Sequence, residues 1–251
     1  MSPGQRPFPT NQTTQHADDP RVVRPLRVGG LLPLTTIDYP GELAAVVFCQ
    51  GCGWRCRYCH NPSLLDPHAA TSLTWGDVAA FLDRRVGLLD AVVFSGGEPT
   101  VQQGLEAAIA EVKARGFKVG LHTAGAVPGR LAQILPHLDW IALDIKGLPE
   151  SYPTITGVTH AGRAAWESLA LLLDAKIELE VRTTLMPGCT SEDVGKLARR
   201  LSRAGVKRYA IQACDTAHAL DPGLEPSGIP FAQLVRDVDA SSFTSLILRH
   251  P

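Results

Sequence analysis

The sequence has no long apolar segment: no run approaches the roughly 18 residues that a membrane-spanning helix needs. Residues 1–25 contain no apolar core of the kind found in secretory signals, and their Pro, Gln, Thr and Asp content is typical of a flexible leader. The chain also lacks a basic stripe, and its net charge is −1 over 251 residues. These absences indicate a cytoplasmic globular protein that binds neither membranes nor nucleic acids.

Cysteine, by contrast, is concentrated in one place. Four of the six cysteines fall within residues 49–62, CQGCGWRCRYCHNP. In a reducing compartment, clustered thiols indicate metal or redox chemistry rather than structural disulfides. Cys189 and Cys214 have no partner at a suitable spacing, and we expect both to be structural.

From Gly41 onward, short apolar runs alternate with helical patterns, which predicts a parallel sheet with helices outside it. Six such βα units with right-handed crossovers would curl into an α/β partial barrel, a TIM-like (β/α)6 arrangement with fewer units than the closed eight. We see no internal repeat and no second domain, so we expect one domain over residues 26–251. The expected strands are ELAAVVFC, DAVVFSGG, KVGLHTAG, WIALDIKG, IELEVRTTLMPG and RYAIQACD, followed by a last strand, SLILRH.

The unusual polar motifs all follow predicted strands. In barrel-like α/β proteins the chemistry sits at the carboxyl ends of the strands, so these motifs should meet at one mouth. They are the cysteine loop after residue 49, SGGEP at 95–99, HTAG at 122–125, DIK at 144–146, RTT at 182–184, and Gln212.

Cys52, Cys56 and Cys59 have the spacing C-x3-C-x2-C. A structural zinc ion with Cys49 or His60 as fourth ligand is one interpretation, but zinc sites usually take two ligand pairs from separated segments. Because all the candidates lie in one loop, an iron–sulfur cluster is favoured, since each thiolate there binds a different iron. Three ligands would leave one iron open for catalysis.

The stretch CGWRCRYC resembles the cluster motif of the radical S-adenosylmethionine (SAM) superfamily. The longer stretch TTIDYPGELAAVVFCQGCGWRCRYCHNP resembles activating proteins of anaerobic ribonucleoside-triphosphate reductase, a branch of the glycyl-radical-activating enzymes. The resemblance runs from about Gly29 to the last strand. It implies a partial barrel of the radical SAM type in which Cys52, Cys56 and Cys59 hold a [4Fe-4S] cluster. The open iron would take the amino and carboxylate groups of SAM.

The resemblance also implies further SAM contacts in the first half of the chain. Tyr58 would contact the adenine. Gly96, Gly97 and Glu98 match a GGE motif, in which the glycines permit close approach of the backbone and Glu98 helps to receive the methionine ammonium. Thr123 would be a SAM neighbour. Related activators carry a Thr-Asn-Gly turn here, and this sequence departs from it because Ala124 replaces the asparagine.

The second half would contribute four more side chains. Asp144 and Lys146 match a D-x-K motif beside SAM and share one side of a strand, although a plain ion pair at the rim stays open as an alternative. Arg182 would be costly to bury without an anion, either a SAM carboxylate or an acidic side chain. Gln212 would be a polar SAM contact. Cys49 departs from the family pattern, and we expect a small buried hydrophobe there.

The implied reaction begins with a reduced cluster that passes one electron to the SAM sulfonium. Cleavage gives methionine and a 5′-deoxyadenosyl radical, which takes the Cα hydrogen of a glycine on a partner enzyme. The implied partners are the large subunit of anaerobic ribonucleotide reductase and an electron donor such as flavodoxin or ferredoxin.

Two alternatives remain. The first is a radical SAM enzyme that acts on a small molecule or on another glycyl radical enzyme, such as pyruvate formate-lyase. The second is a non-catalytic iron–sulfur or zinc module with Cys49 as fourth ligand. The module predicts that Cys49→Ser destroys the metal site, whereas the enzymes predict that Cys49→Ser is mild and that Cys56→Ala abolishes the cluster.

Overall fold

The computed structural model describes residues 24–250. Residues 1–23 of the predicted leader lie outside this range, so the boundary between leader and domain stays a prediction. Across the described range the chain forms the predicted α/β fold, built around one sheet of eight strands. The strands are β1 (Val28–Thr35), β2 (Ala44–Cys49), β3 (Ala91–Gly96), β4 (Lys118–Thr123), β5 (Trp140–Asp144), β6 (Glu178–Leu185), β7 (Arg208–Ala213) and β8 (Ser245–Arg249).

The strands follow one another in the sheet in chain order, from β1 to β8. Strands β2 to β8 are parallel, whereas β1 runs antiparallel to β2. Among residues 24–250, β1 and β8 are the two edges and do not pair with each other, so the sheet is a partial barrel. This agrees with the predicted fold class.

Strand β1 was not predicted, because Gly29, Gly30 and Pro33 weaken its strand pattern. Proline lacks a backbone donor and is tolerated mainly at the edge of a sheet, which is where β1 lies. The ladder between β1 and β2 is irregular between Leu32 and Thr35, next to this proline. An edge position thus accommodates a sequence that a central strand would not.

Helices cover the outer face of the sheet, as predicted. The helices are α1 (Trp75–Asp83), α2 (Leu105–Ala114), α3 (Pro128–Ile134), α4 (Tyr152–Thr156), α5 (Ala161–Ala175), α6 (Ser191–Ala204) and α7 (Phe231–Leu234). Thr74 caps α1 in a capping box with Asp77. After Ile134, α3 changes to a 3₁₀ turn at Leu135–His137, because Pro136 cannot donate the next helical hydrogen bond.

The segment FAQLVRDVDAS, the helical part of the sixth unit, forms only the single turn α7. The side chain of Asp239 accepts a hydrogen bond from the backbone of Ser241 and begins a separate 3₁₀ turn, Ala240–Ser242. Such local side-chain bonds compete with a continuing helix. Helix α4 is an additional element that the sequence pattern did not indicate.

The two faces of the sheet differ in character. The outer face and the helices enclose the main apolar core. The inner face carries a smaller apolar cluster from β2, β3 and β5, with Val46, Val93 and Trp140, and Tyr39 from the connection before β2 packs into it. On β6 and β8 the inner face instead carries buried charge, with Glu180 between two arginines. In residues 24–250 no helix combines the length and apolar character that crossing a bilayer requires.

Candidate active site

A cleft of about 210 Å³ opens where the carboxyl ends of β2 to β7 meet. Strands β3 to β7 and the loop after β2 contribute to its lining, which is the arrangement expected of motifs at the ends of parallel strands. The lining residues are Cys52, Trp54, Cys56, Tyr58, Cys59, His60, Asn61, Leu65, Ser95, Gly96, Gly97, His122, Thr123, Ala124, Asp144, Lys146, Thr184 and Gln212. Ten of the twelve predicted site residues are among them; Glu98 and Arg182 are not.

The start of the cysteine loop is held by main-chain hydrogen bonds to the short turn that follows the loop. Gly51 donates a 2.7 Å hydrogen bond to the carbonyl of Leu64, and Cys52 donates one of 3.1 Å to the carbonyl of Leu65. Within the loop, the amide of Trp54 donates to the sulfur of Cys52 over 3.4 Å. The loop therefore presents its sulfur atoms from a fixed base.

Helix α4 anchors the other side of the loop. The amides of Arg55 and Arg57 donate 2.9 Å hydrogen bonds to the carbonyls of Thr156 and Ile155. The ring of Trp54 packs edge-on against Tyr152, with 5.9 Å between the ring centroids. The unpredicted helix thus supports the cysteine loop.

The donor set fits a [4Fe-4S] cluster. Cys52, Cys56 and Cys59 are free thiols that line one cleft, and three thiolates are the ligands such a cluster accepts, one on each of three irons. In residues 24–250 no three Cys, His, Asp or Glu side chains converge as ligands of a single metal ion would. Burial raises the pKa of the Cys52 thiol to about 11, so coordination must displace its proton.

Cys49 lies elsewhere. Its side chain is fully buried in the main core, does not line the cleft, and has a thiol pKa raised by burial. This placement fits the expected role as a small hydrophobe. The exposed ring of His60 lies at the rim of the cleft, with Nε2 2.8 Å from the carbonyl oxygen of Asp215.

Gly96 and Gly97 let the end of β3 touch the cysteine loop. Gly96 has a φ of +107°, and a Cβ on either glycine would overlap backbone atoms, those of Cys49 for Gly96 and those of Gly51 for Gly97. Two backbone hydrogen bonds of 2.9 Å close this contact, from Gly97 to Cys49 and from Glu98 to Gly51. The close approach that requires glycine is therefore made here between two segments of the chain itself.

Glu98 is almost fully buried, at 1% exposure, and lies behind the cleft. Its Oε1 accepts hydrogen bonds of 2.6 Å from the hydroxyls of Thr100 and Thr123, and its Oε2 accepts one of 2.8 Å from the amide of Ala124. Every one of these donors is a protein group. The carboxylate thus positions Thr123 and Ala124, which line the cleft, and the contact between Glu98 and the methionine ammonium of SAM stays a prediction.

Lys146, Asp144 and Tyr58 lie together within the cleft. The ammonium of Lys146 is 3.2 Å from the Asp144 carboxylate and 5.5 Å from the centroid of the Tyr58 ring. Burial alone would lower the pKa of Lys146, but the surrounding Tyr58, Asp144 and Cys56 groups raise it well above its ordinary value. The predicted ion pair is present, and it contributes one fixed positive charge to the cleft.

Arg182 lies inside the barrel rather than in the cleft. Its Nε donates a 2.6 Å hydrogen bond to Glu180, and its guanidinium lies 5.4 Å from the centroid of the Trp140 ring. Of the two anions expected for Arg182, the structure supplies the acidic side chain. Arg249 donates to the same Glu180 oxygen over 2.9 Å. Burial would raise the pKa of Glu180, but both arginines act against it and the net shift is downward.

His122 lines the cleft and also faces Arg182 in the barrel interior. Its Nε2–H donates a 2.8 Å hydrogen bond to the carbonyl of Asp38, and its Nδ1 faces Ser95 and Arg182 at 3.5 Å. Burial, and then the nearby positive charge of Arg182, lowers the pKa of His122 to about 4. The imidazole is therefore neutral around pH 7.

Eight cleft residues are not among the twelve predicted site residues: Trp54, His60, Asn61, Leu65, Ser95, His122, Ala124 and Thr184. Thr184 accepts a 3.1 Å hydrogen bond from Gln212, whose own oxygen accepts one of 3.0 Å from Arg249. Ser95 and Thr184 lie at strand ends in the motifs quoted above, and that position was the available signal. Cys189 and Cys214 are free and do not line the cleft, as expected of structural cysteines.

Comparison with protein families gives a match between residues 46–201 and the family described as the Radical SAM superfamily. The matched residues begin in β2 and end in α6, so they include the cysteine loop and the strand ends up to β6. More than half of the chain is covered.

Two curated relatives carry related names. A protein of Methanocaldococcus jannaschii, provisionally named a glycyl-radical enzyme activating enzyme, is 29% identical over 219 residues, which is 84% of this chain and 89% of the relative. The pyruvate formate-lyase-activating enzyme of Clostridium pasteurianum is 32% identical over 180 residues, 68% of this chain and 74% of the relative.

Among solved structures, Streptococcus suis SuiB bound to S-adenosylmethionine matches with a TM-score of 0.63 at 14% identity. The match covers 80% of this chain and 48% of SuiB, so the chain spans about half the length of that protein. At this identity the likeness concerns the fold alone.

Proposed function

Because the chain belongs to the radical SAM superfamily and to its class of glycyl-radical-enzyme-activating enzymes, we propose that it generates a glycyl radical on a partner enzyme, anaerobic ribonucleoside-triphosphate reductase. The observation that carries the proposal is the placement of Cys52, Cys56 and Cys59. All three thiols line the cleft that the strand-end motifs of the sheet also line. A protein-bound glycine is accessible to such a site, because glycine has no side chain to block the approach.

The cofactors are those of the superfamily, a [4Fe-4S] cluster and SAM. Together they supply a one-electron cleavage of the sulfonium and a nucleoside radical able to remove a hydrogen atom from carbon. The protein's part is to bind and orient. Cys52, Cys56 and Cys59 are the residues that would hold the cluster.

For SAM, the chain offers one buried positive charge and several neutral donors. The ammonium of Lys146 suits a carboxylate, and the aromatic ring of Tyr58 beside it suits a nucleobase. Gln212 and Thr184 add an amide and a hydroxyl on the neighbouring strands β7 and β6. Positioning of SAM by these groups is part of the proposal.

Pyruvate formate-lyase is a second candidate partner. One specific observation favours it, namely the 32% identity to an enzyme named as its activator over 74% of that enzyme. The N-terminal motif TTIDYPGELAAVVFCQGCGWRCRYCHNP supports the reductase instead. A cytoplasmic location and an electron donor such as flavodoxin or ferredoxin belong to the same proposal.

The test is anaerobic reconstitution of the full chain with iron and sulfide, followed by reaction with SAM, a reductant and each partner in turn. Electron paramagnetic resonance should show the doublet of a glycine-centred radical on the reductase. The same doublet on pyruvate formate-lyase alone would replace the first partner with the second. Release of 5′-deoxyadenosine without a radical on either protein would overturn the proposal in favour of a small-molecule substrate.

A matched pair of variants tests whether the protein radical depends on the cysteines proposed to hold the cluster. Cys56→Ala removes a thiol in the cleft, and we expect loss of bound iron and of the protein radical. Cys49→Ala removes the buried thiol three residues before Cys52 and should keep both. If Cys49→Ala loses the iron and Cys56→Ala keeps it, the assignment of the cluster ligands is wrong.

A further inference from the structure

The segment directly after β7, residues 214–224, lies against the cysteine loop and is called here the strap. It contacts the loop at two places, one before Tyr58 and one after Cys59. We infer that the strap fixes the ring of Tyr58 for the adenine of SAM, and that Asp221 and Leu224 are the positioning residues. The inference rests on the proposed function, because Tyr58 needs a fixed orientation only if a nucleobase binds against it.

The first contact joins Asp221 to Arg57, which lies between Cys56 and Tyr58 in the sequence. The Nε of Arg57 donates a 2.8 Å hydrogen bond to Oδ2 of Asp221, and the amide of Asp221 donates one of 2.9 Å to the carbonyl of Arg57. A charged pair backed by a main-chain bond has a defined geometry, unlike two freely rotating side chains at a surface. The strap is thus bonded to the residue directly before Tyr58.

The other carboxylate oxygen of Asp221 shapes a turn in the sequence DPGL, residues 221–224. Oδ1 accepts a 2.9 Å hydrogen bond from the amide of Gly223, and the amide of Leu224 donates one of 3.1 Å to the carbonyl of Asp221. Aspartate followed by proline and glycine favours such a turn, because the carboxylate accepts from the backbone two residues further on and proline presets φ. One side chain therefore both forms the turn and bonds to the cysteine loop.

The turn brings Leu224 against Tyr58. Leu224 is 7% exposed, although the residues on either side of it are exposed. With Tyr58 and Ile155 it forms a small apolar cluster, and two more residues of the strap, Cys214 and Ala219, pack against that cluster. The strap therefore supplies much of the apolar surface that covers Tyr58.

Tyr58 depends on such neighbours for its orientation, because it belongs to neither a helix nor a strand. The ammonium of Lys146 lies 5.5 Å from the centroid of the Tyr58 ring, and α4 contributes Ile155. Lys146 and Ile155 belong to the barrel and its helices, whereas Leu224 comes from the strap. A ring that packs on a nucleobase does so through one face, and each side chain that must be ordered on binding lowers the affinity. Orientation of the ring before binding is what the strap contributes.

The second contact lies near the start of the strap. The Nε2–H of His60 donates a 2.8 Å hydrogen bond to the carbonyl of Asp215. His60 directly follows Cys59, so the strap holds the stretch from Arg57 to His60 at both of its ends. Tyr58 lies within this stretch.

The first test uses the metal-free full chain, so its outcome does not depend on the proposed function. Asp221→Asn leaves one side-chain oxygen where the two contacts use two, so the turn and the bond to Arg57 compete. We expect hydrogen exchange over residues 214–224, followed by mass spectrometry, to become about tenfold faster than in the wild type. Glu225→Gln removes the same charge at an exposed position next to the strap and should exchange at the wild-type rate. Equal rates in Asp221→Asn and the wild type would overturn the strap.

The second test measures binding by the reconstituted full chain, after its iron content has been checked. Leu224→Ala removes the contact with Tyr58 and keeps the three cysteines. We expect the Kd of SAM to rise about tenfold and the Kd of L-methionine, which has no adenine, to stay unchanged. Leu224→Met, which has a similar volume, should restore most of the affinity for SAM.

Ile229→Ala is the matched control, because Ile229 is an apolar residue beyond the strap that is 38% exposed. An equal rise in Kd for SAM and L-methionine, or for Leu224→Ala and Ile229→Ala, would overturn the positioning of Tyr58. If the wild type binds SAM more tightly than L-methionine but forms no glycyl radical on either partner enzyme, the proposed function fails and the positioning of Tyr58 stands. If the wild type binds neither ligand, both fail.

Discussion

The hydroxyl of Thr123 donates a 2.6 Å hydrogen bond to the buried carboxylate of Glu98. This bond joins the loop after β3 to the end of β4, two segments that are 25 residues apart in the chain. The cleft wall formed by Thr123 and Ala124 therefore depends on a carboxylate that the cleft itself does not contain. Glu98 of the GGE motif thus connects the ends of β3 and β4 by hydrogen bonds, and this connection is called the Glu98 joint below.

Replacement of Glu98 tests this joint. Glu98→Ala leaves the amides of Thr100 and Ala124 without an acceptor, and we expect a loss of about 3 kcal/mol in the free energy of unfolding. Glu98→Gln keeps the Oε1 contacts but places an NH₂ group against the Ala124 amide, so its loss should be smaller, about 1–2 kcal/mol. Urea unfolding of the metal-free protein measures both. Glu106→Ala, at an exposed site in α2, is the control, and an equal effect there would contradict the joint.

Lys146→Met tests the positive charge of the cleft. We expect cluster content to be unchanged, because the three cysteines remain, and SAM affinity to fall about tenfold through loss of a charged partner for the SAM carboxylate. Calorimetric titration of SAM into the reconstituted protein measures the effect. Lys113→Met is the control, since Lys113 pairs with Asp139 on the surface. If Lys146→Met binds SAM with wild-type affinity, Lys146 does not contact SAM, and its role is limited to the ion pair with Asp144.

Glu180→Gln tests the charged interior of the barrel. The substitution leaves Arg182 and Arg249 without their shared anion, and breaking a buried pair in this way costs about 3–5 kcal/mol. Glu178→Gln, two residues earlier on β6, breaks an exposed pair with Arg208 and should cost less than about 1 kcal/mol. Unfolding in urea compares the two. Similar costs would mean that the interior pair is as solvated as the surface pair.

The lowered pKa of His122 leads us to expect that the stability of the protein depends on pH. Its folded pKa of about 4 lies below the ordinary 6.5, so the unfolded chain binds the proton more readily. Arg182 disfavours the charged imidazole, whereas Asp38 and Asp144 favour it. The stabilisation is complete above about pH 6.5 and is lost as the pH falls to about 4, by up to roughly 3 kcal/mol. Unfolding at a series of pH values should show this slope.

His122→Gln provides the comparison for that slope. The variant cannot titrate between pH 4 and 6.5, and its stability should change less over this interval than that of the wild type. His137→Gln, at an exposed site after α3, should keep the wild-type slope. A His122→Gln profile parallel to that of the wild type would assign the pH dependence to other groups.

The sequence predicted much of the parallel sheet, because its buried strands are short apolar runs that repeat with regular spacing. It did not predict β1, whose Gly29, Gly30 and Pro33 are unfavourable in a central strand and acceptable at an edge. Helix α4 was missed because Pro153 lies within a five-residue element that has no apolar period of its own. Edge strands and short helices depend on their neighbours more than on local pattern.

For the site residues too, local sequence pattern predicts some positions, and contacts made only by the fold decide the others. The positions of Cys52, Cys56 and Cys59 follow from local spacing, and so does the period-two pairing of Asp144 with Lys146. The partner of Arg182 was also within reach, because Glu180 lies two residues earlier on the same face of β6. By contrast, the burial of Glu98 depends on Thr123 and Ala124, which only the fold brings near.

The attachment of the cysteine loop has a consequence for how iron is acquired. Main-chain bonds at Gly51, Cys52, Arg55 and Arg57 hold both sides of the loop, and Gly97 and Glu98 bond to its base. Backbone donors and acceptors are the same for every residue type except proline, so exchange of side chains along this loop leaves the scaffold in place. A loop held in this way by its main chain needs little further ordering by a cluster, so little of the affinity for iron and sulfide has to be used for that purpose.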